Sequence, residues 1–168
     1  MLVKMSVSGL TIDPYTNSPI MILKEEQGQR SIPIWIGLLE ATAIASELES
    51  VKFARPMTHD LMRNLIETFG AKVEKVEVCD LRDNTFFALI HLAGSEKDIQ
   101  MDARPSDAIA LALRARAPIF VHEQVFEKSA RIDLSAQAAE EAVKDKDAKK
   151  WTEILEGLSP EDFGKYKM

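Results

Sequence analysis

Apolar positions along the chain switch between two periods, and the switches mark out its elements. "LVKMSVSGLTI" alternates, with Val3, Met5 and Val7 on one side, which predicts a strand with one covered face. "DPYTNSP" is a loop of turn formers. "IMILKEE" and "SIPIWIG" are apolar runs joined by "QGQ" and read as a hairpin. From Leu38 to Val51 the period becomes helical, with Ile44, Leu48 and Val51 as the stripe and Glu40 on the same stripe one turn earlier. A second helix is predicted from His59 to Phe69, with Thr58 as N-cap, Gly70 just past the end, and Leu61, Leu65, Ile66 and Phe69 as its core face. "KVEKVEVCDL" and "TFFALIHLA" form a hairpin around Asp83-Asn84, and "KDIQMDA" adds a strand with Ile99, Met101 and Ala103 on one side and Gln100 and Asp102 on the other.

The third helix reads "AIALALRA", with Ser106 as N-cap and Asp107 in the first turn. It is apolar on every side until Arg114, so it belongs in the interior. "PIFV" follows as a short buried strand. After Arg131 the texture turns charged and Ala-rich, with one weak apolar stripe (Trp151, Ile154, Leu155, Leu158) and a capped turn at "SPEDF". The order of elements lacks regular strand–helix alternation. It predicts an α+β fold: a mixed, largely antiparallel sheet with helices packed on it, as a domain over 1–131, plus a C-terminal helical tail over 132–168. That tail is expected to pack on the body or on a neighbouring chain.

Composition changes the picture mainly by exclusion. The 168 residues are 46% hydrophobic and 29% charged, enough for a real core. No apolar run reaches the ~18 residues of a membrane span, and the start shows no leader pattern, so no membrane partner is expected. The lone Cys79 fits a reducing, cytoplasmic setting and reads as a core thiol. A net charge of −6, without a basic tail, weakens a nucleic-acid reading without excluding it. There is no Gly-rich phosphate loop, zinc spacing or serine elbow, and no aromatic stacking platform with basic neighbours is evident. His91 reads as a satisfied core histidine; His122, at a strand end, stays ambiguous.

Charge gathers at three helix starts. Glu40 opens the first, His59 and Asp60 the second, Asp107 the third; Arg55 leads into the second, and Asp102 and Arg104 into the third. Pro56 and Pro105 hold both approaches extended. If the fold joins these ends, the carboxylates suit a hard divalent ion, Mg²⁺ or Mn²⁺, the arginines suit a phosphate, and His59 suits general acid–base work. Two plainer readings stand beside this. Acids in first turns cap helices, and Arg55 and Arg104 can simply pair with Asp60 and Asp107. Glu40 likewise reads either as a cap or as a site carboxylate.

"IPIWIGLLEATAIA", "RPMTHDLM", "DNTFFALIHL", "DARPSDAIALALR" and "PIFVHEQV", in this order and spacing, resemble the bifunctional nuclease domain family of bacteria and plants. The resemblance covers roughly residues 1–131, and "LSPEDFGKYKM" also resembles the end of many bacterial members. It implies a self-associating α+β domain with nuclease activity on DNA and RNA. The family's motif positions fall on Glu40, Arg55, Pro56, Thr58, His59, Asp60, Asp102, Arg104, Pro105, Ser106 and Asp107. Asn84 departs from it, since many members carry glycine there.

Three expectations follow. Glu40, His59, Asp60, Asp102, Arg104 and Asp107 should converge on one concave site. There Glu40, His59, Asp60, Asp102 and Asp107 would be catalytic, and Asp102, Asp107 and Glu40 would hold a divalent metal. Arg55, Arg104 and Ser106 would contact nucleic acid in sequence-independent, metal-assisted phosphodiester hydrolysis. A homo-oligomer built from dimers should protect the sheet edges. The competing reading is a non-catalytic module for an anionic ligand or a protein partner.

Overall fold

A computed structural model describes residues 1–129, apart from 29, 95 and 96. The predicted C-terminal helical tail, with its Trp151–Leu158 stripe, lies outside the described residues. Seven strands form one sheet: β1 (Leu2–Ile12), β2 (Pro19–Glu25), β3 (Ser31–Trp35), β4 (Lys72–Arg82), β5 (Thr85–Ala93), β6 (Ile99–Ala103) and β7 (Ile119–His122). Their spatial order is β3-β2-β1-β7-β4-β5-β6. Every pairing is antiparallel except β4 with β7. The fold is therefore α+β with a mixed, largely antiparallel sheet, as the sequence predicts. The four-residue β7 is the strand that joins two meanders into one sheet, pairing Met5 with Ile119 on one side and Val76 with Ile119 on the other.

Turn chemistry sets the β4–β5 register. Asp83 and Asn84 both take left-handed backbone angles, φ 47 and φ 58, the geometry of a two-residue turn whose twist matches its strands. From there Arg82 pairs with Thr85 and Leu81 with Phe86.

Three helices carry the site: α1 (Leu38–Leu48), α2 (Thr58–Thr68) and α3 (Pro105–Ala115). α3 is the interior helix that its composition predicts, with Ala108 to Ala112 all buried. It packs against α1, α2, β4 and β5. One core cluster unites Val3, Met5, Met21, Ile44, Val76, Val78, Ile90, Ile109, Leu111 and Val121. A fourth helix, α4 (Glu123–Ser129), follows β7 and was not anticipated. Val125 anchors it in the core, and Lys128 is paired to Asp80. Lys128, then Arg82 and the Leu81 amide, hold the Asp80 carboxyl well below the usual range. Among the described residues no helix is long and apolar enough to cross a membrane.

Three local expectations need correction. Met57, not Thr58, caps α2, and Arg104, not Ser106, caps α3, with Pro105 as its first helical residue. Leu48 and Val51 are exposed rather than part of the α1 stripe, whose buried side is Ala41, Ile44, Ala45 and Ser46. The core face of α2 is also turned: Leu61, Leu65 and Phe69 are 52%, 49% and 82% exposed, while His59 is buried and Met62 and Ile66 pack on the core. This helix carries two apolar stripes one residue apart. Polar links to α3, described next, decide which of them turns inward.

Candidate functional site

The starts of α1, α2 and α3 come together through one ion-paired chain. Arg104 Nη1 lies 2.7 Å from Glu40 Oε1, and its Nε lies 2.7 Å from Asp107 Oδ2. The other Asp107 oxygen, Oδ1, lies 3.1 Å from His59 Nε2. Glu40, Arg104, Asp107 and His59 thus form a continuous line across three helix N-termini, where the dipoles favour carboxylates. Arg104 caps α3 with its backbone and covers the line with its side chain, which is 67% exposed. Beneath it His59 is buried and Glu40 and Asp107 are only partly open. Asp107 and then Glu40 raise the Arg104 pKa.

Local sequence explains this placement. Pro105 presets the first turn of α3 and puts Asp107 one turn from Arg104, close enough for the i,i+3 pair. Gly37 leaves room for Glu40: a Cβ at Gly37 would fall 2.2 Å from Glu40 Oε2. The carboxylate of Glu40 folds back into the space that any other residue at 37 would occupy.

Asp60 is not part of this line. Its Oδ1 accepts from Arg114 Nε at 2.8 Å, and its Oδ2 accepts from the Met57 amide at 2.9 Å. Burial pushes its carboxyl pKa up, but the Met57 amide and the Arg114 guanidinium outweigh burial and hold it below the usual range. Arg114 also donates to Ala110 O at 3.0 Å and to Ser46 Oγ at 3.4 Å. The pair is the internal link that, with His59–Asp107, sets the rotation of α2 against α3. A lone arginine at the end of an interior helix was the readable signal for such a partner, because a buried guanidinium is rare unless paired.

Asp102 stands apart as well. In the register it pairs with Leu89, while its neighbour Ala103 pairs with Ala88, a fully buried core residue beside α3. Successive side chains alternate faces, so Asp102 lies on the sheet face away from that core, exposed. Arg55 is exposed in the loop before α2 and makes no hydrogen bond or ion pair among the described residues. Ser106 is buried in the first turn of α3.

The expected divalent ion finds no ready ligand set. No three His, Cys, Asp or Glu side chains gather to hold a metal among the described residues. Glu40 and Asp107 already share Arg104, and Asp102 points to the other face. The line as arranged therefore does not fit a metal. What it holds is a carboxylate–imidazole pair sheltered under a guanidinium. A neutral His59 donating Nε2–H to Asp107 has Nδ1 as its acceptor.

A second charged group, on the far face of the sheet, escaped the sequence reading. Glu77 is 6% exposed and lies 2.5 Å from Lys75 Nζ and 2.9 Å from His122 Nε2. Burial pushes its carboxyl up, but Lys75, then His122 and His91, outweigh it and hold it below the usual range. His91 Nε2 is 3.3 Å from Glu77 Oε1, yet it is not aligned as a hydrogen bond and has no other partner among the described residues, so His91 is only partly satisfied there. Cys79 is half-buried, with a thiol pushed up by burial.

The family model described as "Bifunctional nuclease domain" matches residues 21–133. An uncharacterised protein of Mycobacterium tuberculosis is 40% identical over 159 residues, covering 94% of this chain and 95% of its own. Bifunctional nuclease 2 of Arabidopsis thaliana is 28% identical over 119 residues, covering 68% of this chain and 36% of its own. Bifunctional nuclease 1 of the same plant is 27% identical over 113 residues, covering 65% of this chain and 35% of its own.

Proposed function

Because the chain belongs to the bifunctional nuclease domain family, we propose that it hydrolyses phosphodiester bonds of DNA and RNA at the Glu40–Arg104–Asp107–His59 line. The observation that carries this reading is the sheltered His59–Asp107 pair, 3.1 Å apart, placed directly beside an exposed guanidinium. Asp107 orients the imidazole and stabilises it when protonated. His59 takes a proton from the attacking water as the new P–O bond forms; the leaving oxygen takes a proton from solvent as the old bond breaks, and His59 then returns its own to solvent. Two N–H groups of Arg104 hold Asp107 and Glu40, and the remaining donors face solvent where a non-bridging phosphate oxygen would sit. Arg55 supplies a second cation from the neighbouring loop. None of these groups reads a base, in keeping with action on both nucleic acids.

The test is cleavage of labelled single-stranded DNA and RNA by rigorously purified protein. His59→Ala and Asp107→Asn should each abolish cleavage while the melting transition stays cooperative. Full activity in both variants overturns the reading. A chelator arm decides the metal. Cleavage that survives chelation supports the route above; cleavage lost and restored by Mn²⁺ or Mg²⁺ means an ion displaces Arg104 from Glu40 and Asp107.

A second reading is favoured by one observation. Apart from Arg55, the cations of the site are already matched to carboxylates, so the line is a net anion when His59 is neutral. A binding module for an anionic ligand, without turnover, would need only Arg55 and the exposed side of Arg104. A thermal shift with nucleotides, and no cleavage, supports that module.

We further propose self-association through the outer ridge of α2. Met57, Leu61, Leu65 and Phe69 stand at four-residue spacing and are all exposed, forming one apolar line along the helix. Ile99 and Met101 are exposed on the edge strand β6 as a second such feature.

A further inference from the structure

The loop between α1 and α2 runs from the end of one site helix to the start of another, and every side chain from Val51 to Met57 is exposed. Phe53 is 47% exposed within it. Lys52 and Arg55, on either side, make no hydrogen bond or ion pair among the described residues. The loop is nevertheless anchored at both ends. The Val51 amide donates to Ser46 O at 2.8 Å, and the Met57 amide donates to Asp60 Oδ2 at 2.9 Å. It contains no glycine, and Pro56 keeps Arg55 extended. A half-exposed aromatic ring thus stands between two cations that are unpaired among the described residues, on a loop anchored at both ends. The loop's sequence, "VKFARPM", gave no sign that Phe53 stays outside the core.

We propose that this loop is the substrate arm of the site and selects single-stranded nucleic acid. The inference rests on the phosphodiesterase reading above. Phe53 stacks on an unpaired base, while Lys52 and Arg55 take flanking phosphates. Every base has a stacking face, so such a platform is indifferent to sequence and to sugar. In a duplex those faces are buried against neighbouring bases, so the ring has nothing to stack on. Phe53 stands six residues before His59, which limits their Cα separation to about 20 Å even in a fully extended chain. That is a span of a few nucleotides, so one strand can lie on both.

The test uses the full chain and an uncleavable phosphorothioate oligonucleotide, offered as a single strand and as the matched duplex. A Phe53→Trp variant should show fluorescence quenching with the single strand and none with the duplex. Phe53→Leu, which keeps the side chain apolar but removes the ring, should weaken single-strand binding by roughly 5- to 150-fold and leave duplex binding unchanged. Because the position is exposed, Phe53→Leu should melt with wild type. Equal quenching by both forms overturns the proposal, as does wild-type single-strand affinity in Phe53→Leu. A shift from dimer to monomer in Phe53→Leu, with oligonucleotide binding intact, would assign the ring to a protein interface instead. The unmodified single strand and duplex, assayed for cleavage in parallel, separate the two readings. Selective, Phe53-dependent binding without any cleavage sinks the hydrolytic reading and keeps the substrate arm. Cleavage of both forms, unchanged in Phe53→Leu, does the reverse.

Discussion

Replacing Asp60 by asparagine removes the charge opposite a buried guanidinium. The Arg114 side chain is 3% exposed, and Asp60 is its only carboxylate partner among the described residues, at 2.8 Å. Removing one partner of a buried pair costs about 3–5 kcal/mol. Asparagine retains an oxygen that can accept the Nε–H bond, and the Asp60 side chain is 25% exposed, so water reaches the altered group. We therefore expect about 2–3 kcal/mol for Asp60→Asn, whose single carbonyl oxygen can accept from Arg114 or from the Met57 amide but not both, and somewhat more for Asp60→Ala, which accepts from neither. At about 2–4 °C per kcal/mol for a chain of this size, the asparagine variant should melt roughly 4–12 °C lower. Urea unfolding followed by circular dichroism should show a lower midpoint at unchanged slope. The double variant Asp60→Asn/Arg114→Met should be more stable than the two single effects predict, because no buried charge is left unpaired.

The same pair sets a pH dependence. The folded-state pKa of Asp60 lies below the ordinary value, so its contribution is complete above the unfolded pKa of about 3.9 and is lost as pH falls through the lower folded value. Wild type should lose this component in that acid window, and Asp60→Asn should lack it. At low temperature the folded Asp60→Asn protein should keep cleavage within a few-fold of wild type, unlike His59→Ala. A wild-type urea midpoint for Asp60→Asn refutes the reasoning outright.

The other predictions are local. Gly37→Ala places a methyl where Glu40 Oε2 now lies, 2.2 Å away, so the carboxylate should swing off Arg104. Its melting temperature should barely change while its cleavage falls to the level of Glu40→Gln; wild-type cleavage beside an impaired Glu40→Gln would show that the packed position of Glu40 does not matter. Asn84→Gly relieves a left-handed residue at φ 58 and should raise stability by about 0.5–1 kcal/mol in the same urea assay. Leu61→Lys with Leu65→Glu should convert a dimer to a monomer in sedimentation velocity without changing the circular dichroism spectrum. Wild-type protein sedimenting as a monomer at micromolar concentration removes the self-association proposal.

Periodicity, continuous apolar runs and capped starts located every strand in the described residues and the three site helices, because these are local signals. Asp83-Asn84 specified its hairpin turn for the same reason: two residues that tolerate positive φ settle the geometry between them. The apolar α3 announced its interior position, and the charged starts of three helices announced the region where Glu40, His59, Arg104 and Asp107 meet. Other features depended on partners distant in sequence. Which of two apolar stripes on α2 turns inward was decided by His59–Asp107 and Asp60–Arg114, links spanning 48 and 54 residues. Asp60 and Asp102 look alike in sequence, each an acid beside a helix start. Tertiary structure sent one to a buried arginine and, through strand register, the other to the far face of the sheet. The late, four-residue β7 bridges two meanders only because its neighbours β1 and β4 offer it two open edges, a pairing that no local pattern encodes.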